Sequence, residues 1–196
     1  VVEKGAGFGE RGHTMILTVT LNPAMDRLLF VDGFQFNVTN RIYRRENCVG
    51  GKGTHVSANL ACLGEPSIAT GIAMGPTGRE VIESLNEFGV QCDFVYCNEG
   101  DSRTNYVLLD GKNSTLICER GPEVPAEVLE AFSRKYDSLL SRVQYVVISG
   151  DASNFAFREG FSLQDSMLDT ARQRGVRVVL DSAARRWLPV SKDSRT

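Results

Sequence analysis

The sequence predicts an α/β fold: a mostly parallel sheet covered on both faces by helices, with a small antiparallel sheet appended to it. Three observations carry that expectation. Short β-branched apolar runs alternate with segments of helical periodicity. Asp110-Gly111-Lys112-Asn113 is a strong hairpin signal that interrupts the alternation. A glycine-rich turn, Gly50-Gly51-Lys52-Gly53, runs straight into a helical pattern.

Met15 to Leu21 reads as a buried strand closed by Asn22-Pro23, with Asp26 just past its end, where open parallel sheets collect ligand groups. Arg27 to Val31 and Arg41 to Glu46 read as two exposed strands joined by the polar loop Gln35 to Asn40, with Arg41, Arg44 and Arg45 facing solvent. After the glycine turn, Val56, Leu60 and Leu63 keep helical spacing and Gly64 marks the stop. Ser67 to Ala73 is a strand ending in Gly75-Pro76-Thr77-Gly78, followed by a helix whose stripe is Val81, Ile82, Leu85 and Phe88. Val90 to Val95 is a further strand, and Arg103 to Asp110 with Ser114 to Glu119 forms the hairpin. Pro125 opens a helix with a core face of Val128, Leu129, Phe132, Tyr136, Leu139 and Leu140. Tyr145 to Ser149 is a central strand, Phe157 to Gly175 is mostly helical, and Val176 to Asp181 is the last clear strand. The hairpin and the two exposed strands are expected to pair into a lid. The polar tail after Asp181 would leave the sheet unfinished at that edge.

Composition narrows the class. The 196 residues can bury a sizeable core, and 42% hydrophobic with 23% charged residues is ordinary for a globular domain. A net charge of −2 offers no long-range attraction to nucleic acid or anionic membrane, and no apolar run is long enough to span a bilayer. Five cysteines without a Cys-x-x-Cys pair, beside two histidines, suggest reduced thiols in a cytoplasmic protein. Residues 1–14 are glycine-rich, polar and free of a signal-peptide core, and read as an upstream extension or a cloning remnant.

The glycine turn carries the functional signal. Three glycines in four positions let a backbone approach a ligand closely, and the helix N-terminus that follows favours oxygen-rich or anionic groups. Lys52 adds a mobile positive charge. The stretch is no Walker A loop, since Glu46 stands where the first glycine should be, and its spacing is not that of a dinucleotide fingerprint.

Taken together, these segments resemble the ribokinase-like carbohydrate kinases, in particular the phosphofructokinase-B branch with its 1-phosphofructokinases and tagatose-6-phosphate kinases. Thr18-Val19-Thr20-Leu21-Asn22-Pro23-Ala24-Met25-Asp26 is similar to that branch's N-terminal signature, and Val49-Gly50-Gly51-Lys52-Gly53 with Ala58-Asn59-Leu60-Ala61-Cys62-Leu63-Gly64 to its first motif. Arg103-Thr104-Asn105, Gly121-Pro122 and Ser149-Gly150 follow in the expected order. The resemblance covers Met15 to about Pro189. It implies a three-layer αβα fold with a β-sheet lid at about 27–46 and 103–119, truncated at its C-terminus, so that 15–196 is the N-terminal part of the kinase domain.

The resemblance also implies an activity and a site. The full enzyme would transfer the ATP γ-phosphoryl, with magnesium, to a phosphorylated ketohexose such as fructose 1-phosphate or tagatose 6-phosphate. Asp26 would bind sugar hydroxyls, Gly50, Gly51 and Gly53 would let the backbone close on the sugar, and Lys52 and Arg103 would approach its phosphate, with Asn105 and Ser149 nearby. A homodimer through the lid edge is expected.

Two departures stand out. His55 occupies a position where the branch has asparagine, and the family's Gly-Ala-Gly-Asp motif with its catalytic aspartate is absent: the Gly-Asp pairs here are Gly100-Asp101 and Gly150-Asp151. The chain alone is therefore expected to be inactive. The competing readings are a non-catalytic sugar-binding or regulatory protein on the same fold, and a nucleoside or unphosphorylated-sugar kinase.

Overall fold

The computed structural model describes residues 14–150 and 163–181. Its main sheet is parallel and contains β1 (Ile16–Thr20), β4 (Ser67–Met74), β5 (Gln91–Cys92), β6 (Val95–Cys97), β9 (Tyr145–Ser149) and β10 (Arg177–Asp181). The order is β10-β9-β1-β4-β5, with β6 pairing further along β4. Around it stand α1 (Lys52–Cys62), α2 (Gly75–Glu87), α3 (Ala126–Leu140) and α4 (Leu163–Gln173). Parallel neighbours need crossovers, and the intervening helices supply them.

Alternation along β1 sorts the layers. Leu17, Val19 and Leu21 join Ile68, Ile72, Val146 and Ile148 against α3 and α4, burying Phe132, Tyr136, Leu139 and Met167. Thr18 and Thr20 face the other way, toward α1, where the Thr18 and Ser57 hydroxyls lie 2.6 Å apart in a hydrogen bond. Gly53 makes that approach possible: a Cβ there would stand 2.2 Å from Thr20 Oγ1 and 2.7 Å from the Val19 carbonyl oxygen. The helix stop at Gly64 is as expected, with φ of +73° and the Gly64 and Glu65 amides donating back to Ala61 and Leu60.

The segment expected as one strand over 90–95 is two. Asp93 breaks it, its amide donating to the Ala69 carbonyl and its own carbonyl accepting from the Thr70 hydroxyl. Phe94 then turns into a second apolar cluster with Met25, Val49, Ala73, Val81, Leu85 and Val90.

The second sheet has four strands in the order β3-β2-β7-β8: β3 (Ile42–Gly50), β2 (Ala24–Val31), β7 (Arg103–Leu109) and β8 (Ser114–Cys118). The hairpin does pair with the two earlier strands, through a parallel β2–β7 contact. Both earlier strands are longer than the sequence suggests. Asp26, past the end of β1, lies inside β2, and Gly50 ends β3 rather than opening a turn, because the ladder Ala24↔Gly50 continues to that end. β2 is mostly half-buried rather than exposed, since Met25 is fully covered and Arg27 lies against α2. Arg41, Arg44 and Arg45 are exposed as expected. The start of the helix expected from Phe157, Asp151, residues 1–13 and the tail after Asp181 lie outside the described residues.

The second sheet is tied to the core by an Arg27–Glu80 fork, the two terminal guanidinium nitrogens Nη1 and Nη2 each donating to a Glu80 carboxylate oxygen at 2.5 Å. That hydrogen bond holds the Glu80 carboxyl below its usual range, against partial burial that pushes the other way. A depressed carboxylate contributes stability that is present above the unfolded value of about 4.3 and is lost as pH falls through the folded value. Partial exposure of both side chains keeps the effect modest. Glu80→Gln should accordingly flatten the fall of the thermal midpoint between about pH 5 and pH 3, measured beside the parent chain.

Candidate functional site

The C-terminal ends of β1, β9 and β10 lie at the N-terminus of α1, with Thr20 against Gly51 and Asp181 beside Lys52, and β3 of the second sheet runs into that helix through Gly50. Gly51 makes the join. Its φ of +103° and ψ of 140° let the backbone leave β3 and enter the helix within one residue, a conformation that disfavours a side chain. No side chain caps α1, and its first turn carries no acid. Thr54 Oγ1 is turned back onto the Gly50 and Gly51 carbonyls at 2.7 and 2.6 Å. The first amides of the helix are thus left for a ligand, with the positive dipole end behind them.

Two groups of side chains flank this helix end. On the second sheet, Asn105 Nδ2 donates to Asp26 Oδ1 at 2.7 Å. Gly50 lies against the same carboxylate: a Cβ there would be 2.0 Å from Asp26 Oδ1. Arg103 stands one row away, opposite Ala24, which in turn faces Gly50. Two polar atoms in this group are buried without a partner, Asn105 Oδ1 and Arg103 Nε. Leaving either unsatisfied costs on the order of 1–3 kcal/mol, so a ligand that supplies the missing partner recovers that free energy.

On the main sheet, Ser149 Oγ donates to Asp181 Oδ2 at 3.2 Å, and Lys52 Nζ stands 3.4 Å from Asp181 Oδ1. The Gly150 amide donates to the Asp181 carbonyl. The Lys52–Asp181 pair is half-exposed and so weak, free to open toward an anion.

The sequence-derived residues therefore come together in part. Asp26, Asn105, Gly50 and Arg103 form one group, Lys52 and Ser149 the other, and Gly51 links them through the chain. Gly53 is buried under Thr20, where packing alone accounts for a glycine. His55 is exposed on the first turn of α1, and the Val49 carbonyl accepts from its Nε2 at 2.8 Å. Asp181 was not singled out by sequence reasoning, although an acid at the C-terminal end of a parallel strand is the available signal.

A family model described as pfkB family carbohydrate kinase matches residues 15–190. The chain belongs to the pfkB family of carbohydrate kinases. Among solved structures, this pfkB-family chain is similar to one described as a possible 1-phosphofructokinase from Thermotoga maritima. The two are 39% identical with a TM-score of 0.77, over 86% of this chain and 53% of that one. It is also similar in fold to phosphofructokinase-2 from Escherichia coli solved in a tetrameric inhibited form. That match has 20% identity and a TM-score of 0.77, over 87% of this chain and 55% of the other. The same enzyme in complex with fructose-6-phosphate matches with a TM-score of 0.73 at 20% identity, over 88% and 56%. The chain thus spans about half the length of these solved relatives. The ribokinase-like α/β architecture expected from the sequence is the one observed.

Proposed function

We propose that this chain is the acceptor-binding part of an ATP-dependent sugar-phosphate kinase whose substrate is a phosphorylated ketohexose such as fructose 1-phosphate or tagatose 6-phosphate. The observation that carries the reading is the Asp26–Asn105–Gly50 group with its two unpartnered buried atoms, Asn105 Oδ1 and Arg103 Nε. Asp26 accepts from sugar hydroxyls, Asn105 both orients that carboxylate and offers its carbonyl oxygen to a further hydroxyl, and Arg103 and Lys52 take the phosphate. The second sheet acts as the lid that covers the sugar and keeps water from a transferable phosphoryl group. Its two outer strands expose Ile42, Tyr43, Leu116 and Ile117, which suits pairing with a second copy. The reading places the protein in the cytoplasm.

ATP and magnesium enter from the family. Among the described residues no group of three or more His, Cys, Asp or Glu side chains could hold a metal ion. With no Gly-Ala-Gly-Asp motif in these 196 residues, the chain alone is proposed to bind the acceptor without phosphorylating it. A thermal-shift titration with both sugar phosphates, beside an assay for ATP-dependent phosphorylation, tests this. Stabilisation without turnover is expected, and turnover would overthrow the inactivity. The sugar-binding protein without catalysis makes the same binding forecast, and differs in whether the full-length protein turns over.

Arg103→Ala discriminates the phosphorylated acceptor from a nucleoside or a plain sugar. Loss of a charge-assisted contact of about 1.5–3 kcal/mol should weaken binding of fructose 1-phosphate roughly 10- to 150-fold and leave binding of fructose nearly unchanged. Equal loss for both, or for neither, would remove the phosphate role.

A further inference from the structure

The register of the second sheet sets four residues in one row across its strands. Cys48 on β3 stands opposite Asp26 on β2, Asp26 opposite Asn105 on β7, and Asn105 opposite Cys118 on β8. Residues paired in this way share a face, on strands about 4.8 Å apart. Both thiols are free and exposed. Three strand spacings separate them, about 14 Å, too far to bridge to each other. Between them lies Asn105, 6% exposed, with its Oδ1 buried and unpartnered.

We propose that Cys48 and Cys118 are the two side walls of the acceptor site, so that a bound sugar phosphate and a covalent adduct on these sulfurs exclude each other. The inference rests on the acceptor-binding reading above and adds to it which residues bound the sugar laterally. Partial burial and the nearby Asp26 and Glu46 carboxylates push the Cys48 thiol up. The sulfur at neutral pH is therefore mostly a neutral, polarisable contact, and its reaction with a maleimide is slowed but not prevented.

The test labels the 196-residue chain with N-ethylmaleimide in the presence and absence of fructose 1-phosphate and follows each cysteine by mass spectrometry. The thiol sulfur adds across the maleimide double bond, forming an S–C bond while the thiol proton ends on the neighbouring carbon. At a ligand concentration about ten times the dissociation constant, roughly a tenth of the sites stay open, so labelling of Cys48 and Cys118 should slow about tenfold. Cys62, exposed at the far end of α1, should label at an unchanged rate. Maleimide-treated protein should lose its thermal response to the sugar phosphate, whereas in a Cys48→Ser, Cys118→Ser variant, whatever its starting affinity, treatment should cause no further loss of that response. Unchanged labelling of Cys48 under conditions where thermal shift shows the acceptor bound would overturn the proposal and leave acceptor binding standing. Absence of any thermal response in untreated protein would remove both.

Discussion

Gly50→Ala is expected to weaken acceptor binding about 10- to 150-fold while the fold survives. The new Cβ would stand 2.0 Å from Asp26 Oδ1 and 2.5 Å from Asp26 Cγ, so one of the two must move. The obstacle is the end of a side chain, and a carboxylate rotates more cheaply than two paired strands separate. Asp26 then swings away from Asn105 Nδ2, its partner at 2.7 Å, and from any hydroxyl placed against it. A hydrogen bond to a charged group is worth about 1.5–3 kcal/mol, which is the source of the expected loss. Isothermal titration calorimetry with fructose 1-phosphate, beside a thermal melt, measures both quantities. Unchanged affinity would show that the carboxylate's position does not matter to the acceptor.

Phe132→Ala should cost about 3–5 kcal/mol, the range for emptying a large aromatic from a core. Phe132 is fully buried on α3, stacked on Tyr136 with ring centroids 6.1 Å apart, in the cluster shared by β1, β4, β9 and α4. Tyr136 holds its own place by donating to the Met167 carbonyl of α4, so the gap left behind cannot close freely. At about 2–4 °C per kcal/mol for a chain of this size, the thermal midpoint should fall by roughly 6–20 °C. A fall of less than about 3 °C would show that α3 is not part of the cooperative core.

Arg27 illustrates where a sequence stops being readable. Its place in an alternating run marks a strand, yet nothing nearby in the chain announces that Glu80, 53 residues on, accepts hydrogen bonds from its two terminal nitrogens. The same is true of Asp26 and Asn105, which are 79 residues apart and meet only because β2 and β7 pair in parallel with that register. Asp93 splits one expected strand into two because its backbone exchanges hydrogen bonds with Ala69 and Thr70 of a different element. These are long-range events, and local periodicity carries no trace of them.

What the sequence determined by itself is what local chemistry controls. Alternation and β-branched runs marked the strands, i, i+3 and i+4 stripes marked the helices, Gly64 marked a helix end, and Asp110-Gly111-Lys112-Asn113 marked the hairpin. The motif order from Asp26 to Ser149 pointed to the family that the chain belongs to. Only the tertiary structure decided which residues stand together: the carboxylate of Asp26 between Gly50 and Asn105, Asp181 beneath Lys52 and Ser149, and a thiol at each end of the Asp26 row. The physical reason is that strand register and helix packing are chosen by burial summed over the whole core, while each residue's own neighbours in sequence settle only its local conformation.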